Sequence, residues 1–155
     1  MILWKDAVMP NLERKIERII FLLEKLRDES SEGALLLVEG QKDAEALRSI
    51  GVESEILAIK SCGENLIDLI NRIEKCGKKE IVLLMDFDRY GREITERLVQ
   101  NLERIGVKIN LSFWREMLSL VERDLKDIEG LVTYLETLER KSGKKIYLLS
   151  NLAER

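Results

Sequence analysis

The chain has 155 residues, 45% apolar and 35% charged, with a formal net charge of −3; this is the size of one ordinary domain with a single core, and the acidic balance gives no support to a broad basic face that grips long duplexes, leaving room only for a local basic rim around a small acidic site. It contains no histidine, which excludes Ser-His-Asp and Cys-His nucleophiles and imidazole metal ligands. Its cysteines, Cys62 and Cys76, have 13 residues between them, which argues against a thiolate zinc site and a disulfide framework, so any metal here is a hard cation held by oxygen.

The opening "MILWKDAVMPNLERK" lacks the basic segment and apolar run of a secretory signal. No apolar stretch approaches the roughly 20 residues of a membrane span. The expectation is a cytoplasmic chain with no membrane contact. Residues 11–28 read as an amphipathic helix starting at Pro10 and Asn11, with Leu12, Ile16, Ile19, Ile20, Leu23 and Leu26 on one stripe. Its apolar face serves packing or a homodimer contact.

From residue 34 strands and helices alternate. "ALLLV" is followed by the helix "QKDAEALRSIG", closed by Gly51. "EILAI" precedes the helix "ENLIDLINRIEKCG", and "IVLLM" precedes "REITERLVQNLERIG", whose apolar face is Ile94, Leu98, Leu102 and Ile105. "VKINL" alternates as an edge strand does. Helices are expected near 113–122 and 128–140, and "KKIYLLSNLAER" reads as a short strand or a docked tail. Unbroken apolar strands joined through helices predict a mainly parallel, about four-stranded sheet in a three-layer α/β/α, Rossmann-like fold.

In such a sheet, ligands bind beyond the carboxyl ends of the strands. Here two strands end in acid: "LLLVEG" places Glu39 before Gly40, and "LLMDFD" places Asp86 and Asp88 before Gly91. On an extended strand Asp86 and Asp88 face the same way, about 7 Å apart, with Phe87 pointing oppositely into the core. Two uncompensated carboxylates are costly to bury, and Mg²⁺ or Mn²⁺ supplies the compensation. The plainer alternative for an aspartate in this position is a cap on the following helix. Relief of like-charge repulsion makes Asp88→Ala neutral or stabilising in the metal-free protein.

"VEGQKDAEAL" and "LLMDFDRYG" together resemble the two motifs of the Toprim domain, shared by type IA topoisomerases, bacterial-type primases, OLD-family nucleases and the maturase of 5S ribosomal RNA. Glu39 and Gly40 match its first motif, with Asp43 as the acid three residues on; Asp86, Asp88 and Gly91 match the second. Gly63, in "KSCGEN", falls where such domains carry a glycine-containing loop. The chain looks like a small stand-alone Toprim protein: an N-terminal helical extension (1–32), a Toprim core (33–112) and a C-terminal helical segment packed on that core (113–155).

The resemblance implies Mg²⁺- or Mn²⁺-dependent phosphoryl transfer on nucleic acid, RNA or DNA, of nuclease-like or processing type. Asp86 and Asp88 would hold the metal, while Glu39 would ligate it or act as general acid or base. Lys42, Lys60, Arg89 and Arg92 are the nearby cations for a phosphodiester, each with a solvated or helix-pairing role as the simpler account. Tyr90 sits in no topoisomerase nucleophile context. A third acidic motif is matched loosely by "LKDIEGL", which draws attention to Asp124 and Asp127; a helix cap also accounts for Asp127. The rival readings are a metal-dependent binding module for nucleic acid or protein that catalyses nothing, and a DxD phosphatase of haloacid-dehalogenase type.

Overall fold

Four strands, β1 (Leu35–Val38), β2 (Ile56–Ala58), β3 (Glu80–Leu84) and β4 (Lys108–Asn110), form one sheet in the order β2-β1-β3-β4, and every neighbouring pair is parallel. The computed structural model describes residues 4–62, 65–121 and 123–150. The two central strands are buried on both faces, which is why their sequences are apolar without a break.

Alternation along those strands divides the core in two. Leu36 and Val38 of β1, with Val82 and Leu84 of β3, join the cluster under helices α1 (Trp4–Ser31), α2 (Gln41–Ser49), α5 (Ser112–Val121) and α6 (Leu131–Ser142). Leu35, Leu37, Ile81, Leu83 and Met85 point the other way, to α3 (Leu66–Lys75) and α4 (Arg89–Arg104). This is the three-layer α/β/α arrangement, with β4 at an edge.

Helix α1 begins at Trp4, not near Pro10, and passes through the proline. Proline suits a first helical turn, hence its reading as a start. Inside a helix a proline removes one hydrogen bond and crowds the preceding turn, and α1 nonetheless continues through it. Ile16, Ile19, Leu23 and Leu26 are buried as the stripe requires. Of the C-terminal stretch the described part, to Ser150, is docked: a 3-10 turn at Tyr147–Leu149 follows Ile146, and Ile146, Leu148 and Leu149 are all buried, while 151–155 lie outside the described residues.

One register detail positions the site. β1 and β3 are adjacent, and Val38 pairs with Leu84. The residues that follow each strand, Glu39 on one side and Met85 and Asp86 on the other, therefore leave the sheet side by side.

Candidate metal centre

Glu39 is 1% exposed, although it is a carboxylate. Its Oε2 accepts the main-chain N–H of Asp86 at 2.9 Å, so the acid that ends one strand fastens the end of the next. Its own carbonyl accepts the N–H of Lys60 at 2.9 Å, holding the loop after β2 against the same point.

The side chains of Glu39, Asp86 and Asp88 each offer one oxygen within 4.8 Å of the others. Glu39 is buried, Asp86 half-buried and Asp88 exposed, so the cluster opens to solvent on the Asp88 side. Oε1 of Glu39 and Oδ1 of Asp86 are buried without a hydrogen-bond partner. Buried polar atoms are nearly always satisfied, and an orphaned carboxylate oxygen calls for a donor or a cation. Burial pushes the Asp86 carboxyl up to about 8, reinforced by the adjacent Glu39 carboxylate and then by the charges of Asp43 and Asp127. Three carboxylates, two orphaned oxygens and no nitrogen or sulfur ligand among them fit a hard divalent cation.

The extended spacing of about 7 Å between the aspartates does not hold. β3 ends at Leu84, and Asp88 is the N-cap of α4, its Oδ1 accepting the Gly91 N–H at 2.8 Å. The turn into the helix draws the two carboxylates together. Asp88 is thus both a cap and a member of the cluster, because a capping aspartate uses one oxygen and leaves the other free.

Gly91 explains itself sterically. A Cβ there would lie 2.0 Å from the carbonyl oxygen of Asp86 and 2.7 Å from its carbonyl carbon. The first turn of α4 presses on the Asp86 backbone, which only glycine permits. Gly40 differs: a Cβ would meet only Asp43 Oδ2, at 3.6 Å. Folding does not demand that glycine, and it leaves the backbone bare beside the cluster.

Several contacts that hold the "DFD" stretch join distant parts of the sequence. The indole N–H of Trp114 donates to the Met85 carbonyl at 2.8 Å, and the Phe87 N–H donates to the Lys126 carbonyl at 2.6 Å. Phe87 is 4% exposed and its ring stacks on Trp114 with centroids 6.5 Å apart. Asp43 is buried and accepts two main-chain N–H groups, from Gly40 at 2.9 Å and from Glu129 at 2.7 Å. The loop between α5 and α6 is therefore tied to both acidic segments.

The remaining candidates separate. Lys42 lies 3.9 Å from Glu129 and Arg89 pairs with Glu93 at 3.2 Å, while Lys60 and Arg92 are exposed. Gly63 lies outside the described residues. Asp127 accepts the Gly130 N–H at 2.8 Å, capping the turn before α6, and its charge reaches both Asp43 and Asp86. Asp124 turns away, to Lys15 at 3.1 Å and Tyr134 at 3.4 Å. Tyr90 is exposed. The indole of Trp114 carried the one sequence signal among the missed contacts, since a tryptophan expected in a core needs a partner for its N–H.

A parallel α/β sheet whose central strands end in a glutamate and a DxD pair, with all three carboxylates converging, defines a class of metal-site domain. The Toprim domain model matches residues 34–114. The UPF0292 protein of Methanosarcina acetivorans is 30% identical over 131 residues, covering 84% of this chain and 88% of that protein. That of Thermococcus kodakarensis is 35% identical over 115 residues, 74% of this chain and 81% of that one. A solved protein from Aquifex aeolicus shares the fold, with a TM-score of 0.58 at 24% identity, covering 70% of this chain and 93% of its own. The chain belongs to the Toprim domain family and, with these relatives, to the UPF0292 proteins. Toprim domains bind divalent metals, and the carboxylate cluster could hold one here. Among the described residues no helix is long and apolar enough to cross a membrane.

Proposed function

We propose that this protein is a Mg²⁺- or Mn²⁺-dependent phosphoryl-transfer enzyme acting on nucleic acid, nuclease-like or processing in its reaction. The observation that carries the reading is the convergence of Glu39, Asp86 and Asp88 within 4.8 Å, with an orphaned oxygen on each of the first two. A cation bound there supplies neutralisation of charge on a phosphodiester and a more acidic water.

The side chains divide the work by burial. Asp86 and Asp88 offer oxygens to the ion, Asp88 from the solvent side where a phosphate enters. Glu39 has one oxygen committed to the Asp86 N–H and the other free, so it ligates or takes a proton without moving. Gly40 leaves room for a phosphate to approach the backbone at the start of α2. Lys60 and Arg92 steer the polyanion, and Lys42 and Arg89 do so when released from Glu129 and Glu93. Family membership argues against the phosphatase alternative.

The test is incubation of the purified protein with end-labelled RNA and DNA in Mg²⁺, Mn²⁺ or EDTA. Metal-dependent product that disappears in Asp86→Asn and Glu39→Gln is the expected result. Nucleic-acid binding that survives both substitutions, with no product from the wild type, would make the protein a binding module instead.

A further inference from the structure

Beside the carboxylate cluster runs a groove of about 690 Å³ between α4 and α5. It exists because β4 stops early. β3 pairs with β1 as far as Leu84, but with β4 only as far as Val82, opposite Asn110. The chain then leaves the sheet at Leu111 and enters α5 on the face opposite α4. The space between the two helices stays open at that edge.

The groove has an apolar floor and a cationic rim. Val99, Leu111 and Leu118 are half-buried along it, and Arg92 and Arg115 stand exposed on opposite walls, against one glutamate, Glu96. Neither guanidinium has a hydrogen-bond or ion-pair partner among the described residues. That separates Arg92 from Lys42 and Arg89, whose charges meet acids.

Groove and cluster share a wall. Arg92 follows the Asp88 cap by one helical turn, about 6 Å along α4. Trp114, which lines the groove, holds the Met85 carbonyl immediately before Asp86. Thr95, also in the lining, bonds the Gly91 carbonyl at 2.6 Å.

We infer that this groove is the binding track for a single-stranded segment of the nucleic acid whose phosphodiester reaches the carboxylate cluster, with Arg92 and Arg115 holding its phosphates and a base lying on Val99, Leu111 and Leu118. This rests on the function proposed above and deepens it. The volume is that of a site for one ligand-sized moiety, not for a duplex face. An apolar floor takes the face of any base, and exposed guanidinium planes both bind phosphate and stack on bases. The two arginines face the substrate with positive charge, while the cluster next to them is acidic and needs its cation before a phosphate approaches.

The experiment is fluorescence anisotropy of fluorescein-labelled oligouridylate and oligothymidylate in EDTA and in Mg²⁺, with the wild type, Arg92→Ala, Arg115→Ala and the double charge reversal R92E/R115E. Arg97, exposed on α4 outside the groove, supplies the control Arg97→Ala. Each single substitution should weaken binding by about tenfold, and R92E/R115E should weaken it further and lower the salt slope by at least about 1.4, the value for two phosphate contacts to a single strand. Arg97→Ala should leave affinity unchanged, and the calorimetric heat of Mg²⁺ binding should persist in every variant. Unchanged affinity in R92E/R115E overturns the inference, as does a wild type that binds neither oligonucleotide. Cleavage with unaltered binding in R92E/R115E would sink the track and spare the enzyme. Binding lost in R92E/R115E with no cleavage by the wild type would do the reverse.

Discussion

Glu39 and Asp86 come from segments 47 residues apart, yet one oxygen of the glutamate takes the aspartate's own N–H at 2.9 Å. The other oxygen, and Oδ1 of Asp86, are buried with no donor when both carboxyls are ionised, and a protonated Asp86 can donate to Glu39. A single substitution therefore moves two measurements in opposite directions. In Glu39→Gln the amide oxygen still accepts the Asp86 N–H, and its NH₂ can donate to the orphaned aspartate oxygen. Above about pH 8, where Asp86 is ionised, the metal-free protein should gain about 1–2 kcal/mol in urea unfolding, while calorimetry shows Mg²⁺ affinity falling at least about tenfold. Glu39→Ala should lose both, since it strands the Asp86 N–H at a cost of about 1–3 kcal/mol. A glutamine variant that binds metal as well as the wild type would show that the buried charge serves something else.

Asp86 makes the metal-free protein pH-dependent. Its folded-state carboxyl lies at about 8, raised by burial and then by Glu39, against an unfolded value of about 3.9. The folded state holds the proton more tightly, so this group's contribution is fully present below about pH 4 and is lost as pH rises toward about 8. Urea midpoints in EDTA should fall across that window, and less steeply in Asp86→Asn, which cannot titrate. Metal binding should show the opposite trend, with one proton released per ion below pH 8 and affinity rising with pH. Calorimetry in two buffers of different ionisation enthalpy counts that proton. Equal slopes for wild type and Asp86→Asn would reassign the titration.

The pairing of Gly91 with Asp86 predicts a sharp contrast between two glycines. Gly91→Ala drives a Cβ to 2.0 Å from the Asp86 carbonyl; it should cost about 3 kcal/mol or more and abolish metal binding. Gly40→Ala meets only Asp43 Oδ2 at 3.6 Å, with φ at −127°, and should unfold at the same urea concentration as the wild type. Asp88→Ala, neutral or stabilising from charge repulsion alone, removes the cap on Gly91 and should instead cost about 1 kcal/mol. Asp88→Asn keeps the cap and loses the charge, so it should fold normally and bind metal weakly.

These residues also mark where sequence reading works. Glu39, Asp86 and Asp88 are legible because parallel strands buried on both faces announce themselves as unbroken apolar runs, and the acids stand where the runs stop. Even the cap at Asp88 is a local signal, three residues from its partner. The closeness of the three carboxylates is less legible, because it depends on β3 ending at Leu84 and on the chain bending at Phe87 and Asp88 before α4. The bonds from Trp114 to Met85, Phe87 to Lys126 and Glu129 to Asp43 have no period and no motif, and join residues 29, 39 and 86 positions apart. The groove is hidden for the same reason: it arises from a strand that stops two pairs short of its neighbour, which no residue pattern announces.

Asp43 tests whether the loop between α5 and α6 supports the cluster from a distance. Its carboxylate accepts the N–H of Gly40 at 2.9 Å and that of Glu129 at 2.7 Å while 5% exposed, so Asp43→Ala strands two main-chain donors in a largely buried setting. The expected cost is about 3 kcal/mol. Lys42→Ala, which breaks an exposed contact of 3.9 Å to the side chain of the same Glu129, should change stability by less than about 0.5 kcal/mol. Phe87→Ala, at the other tie to this loop, should cost about 3–5 kcal/mol through its buried ring. Asp43 is not among the three clustered carboxylates, but its charge reaches Asp86, so a fall in Mg²⁺ affinity in fully folded Asp43→Asn that persists in high salt, where that charge is screened, reports displacement of Gly40 and of the strand end before it. An Asp43→Asn protein that binds Mg²⁺ as the wild type does would show that the cluster is held by Glu39, Trp114 and Gly91 alone, with the loop merely resting against it.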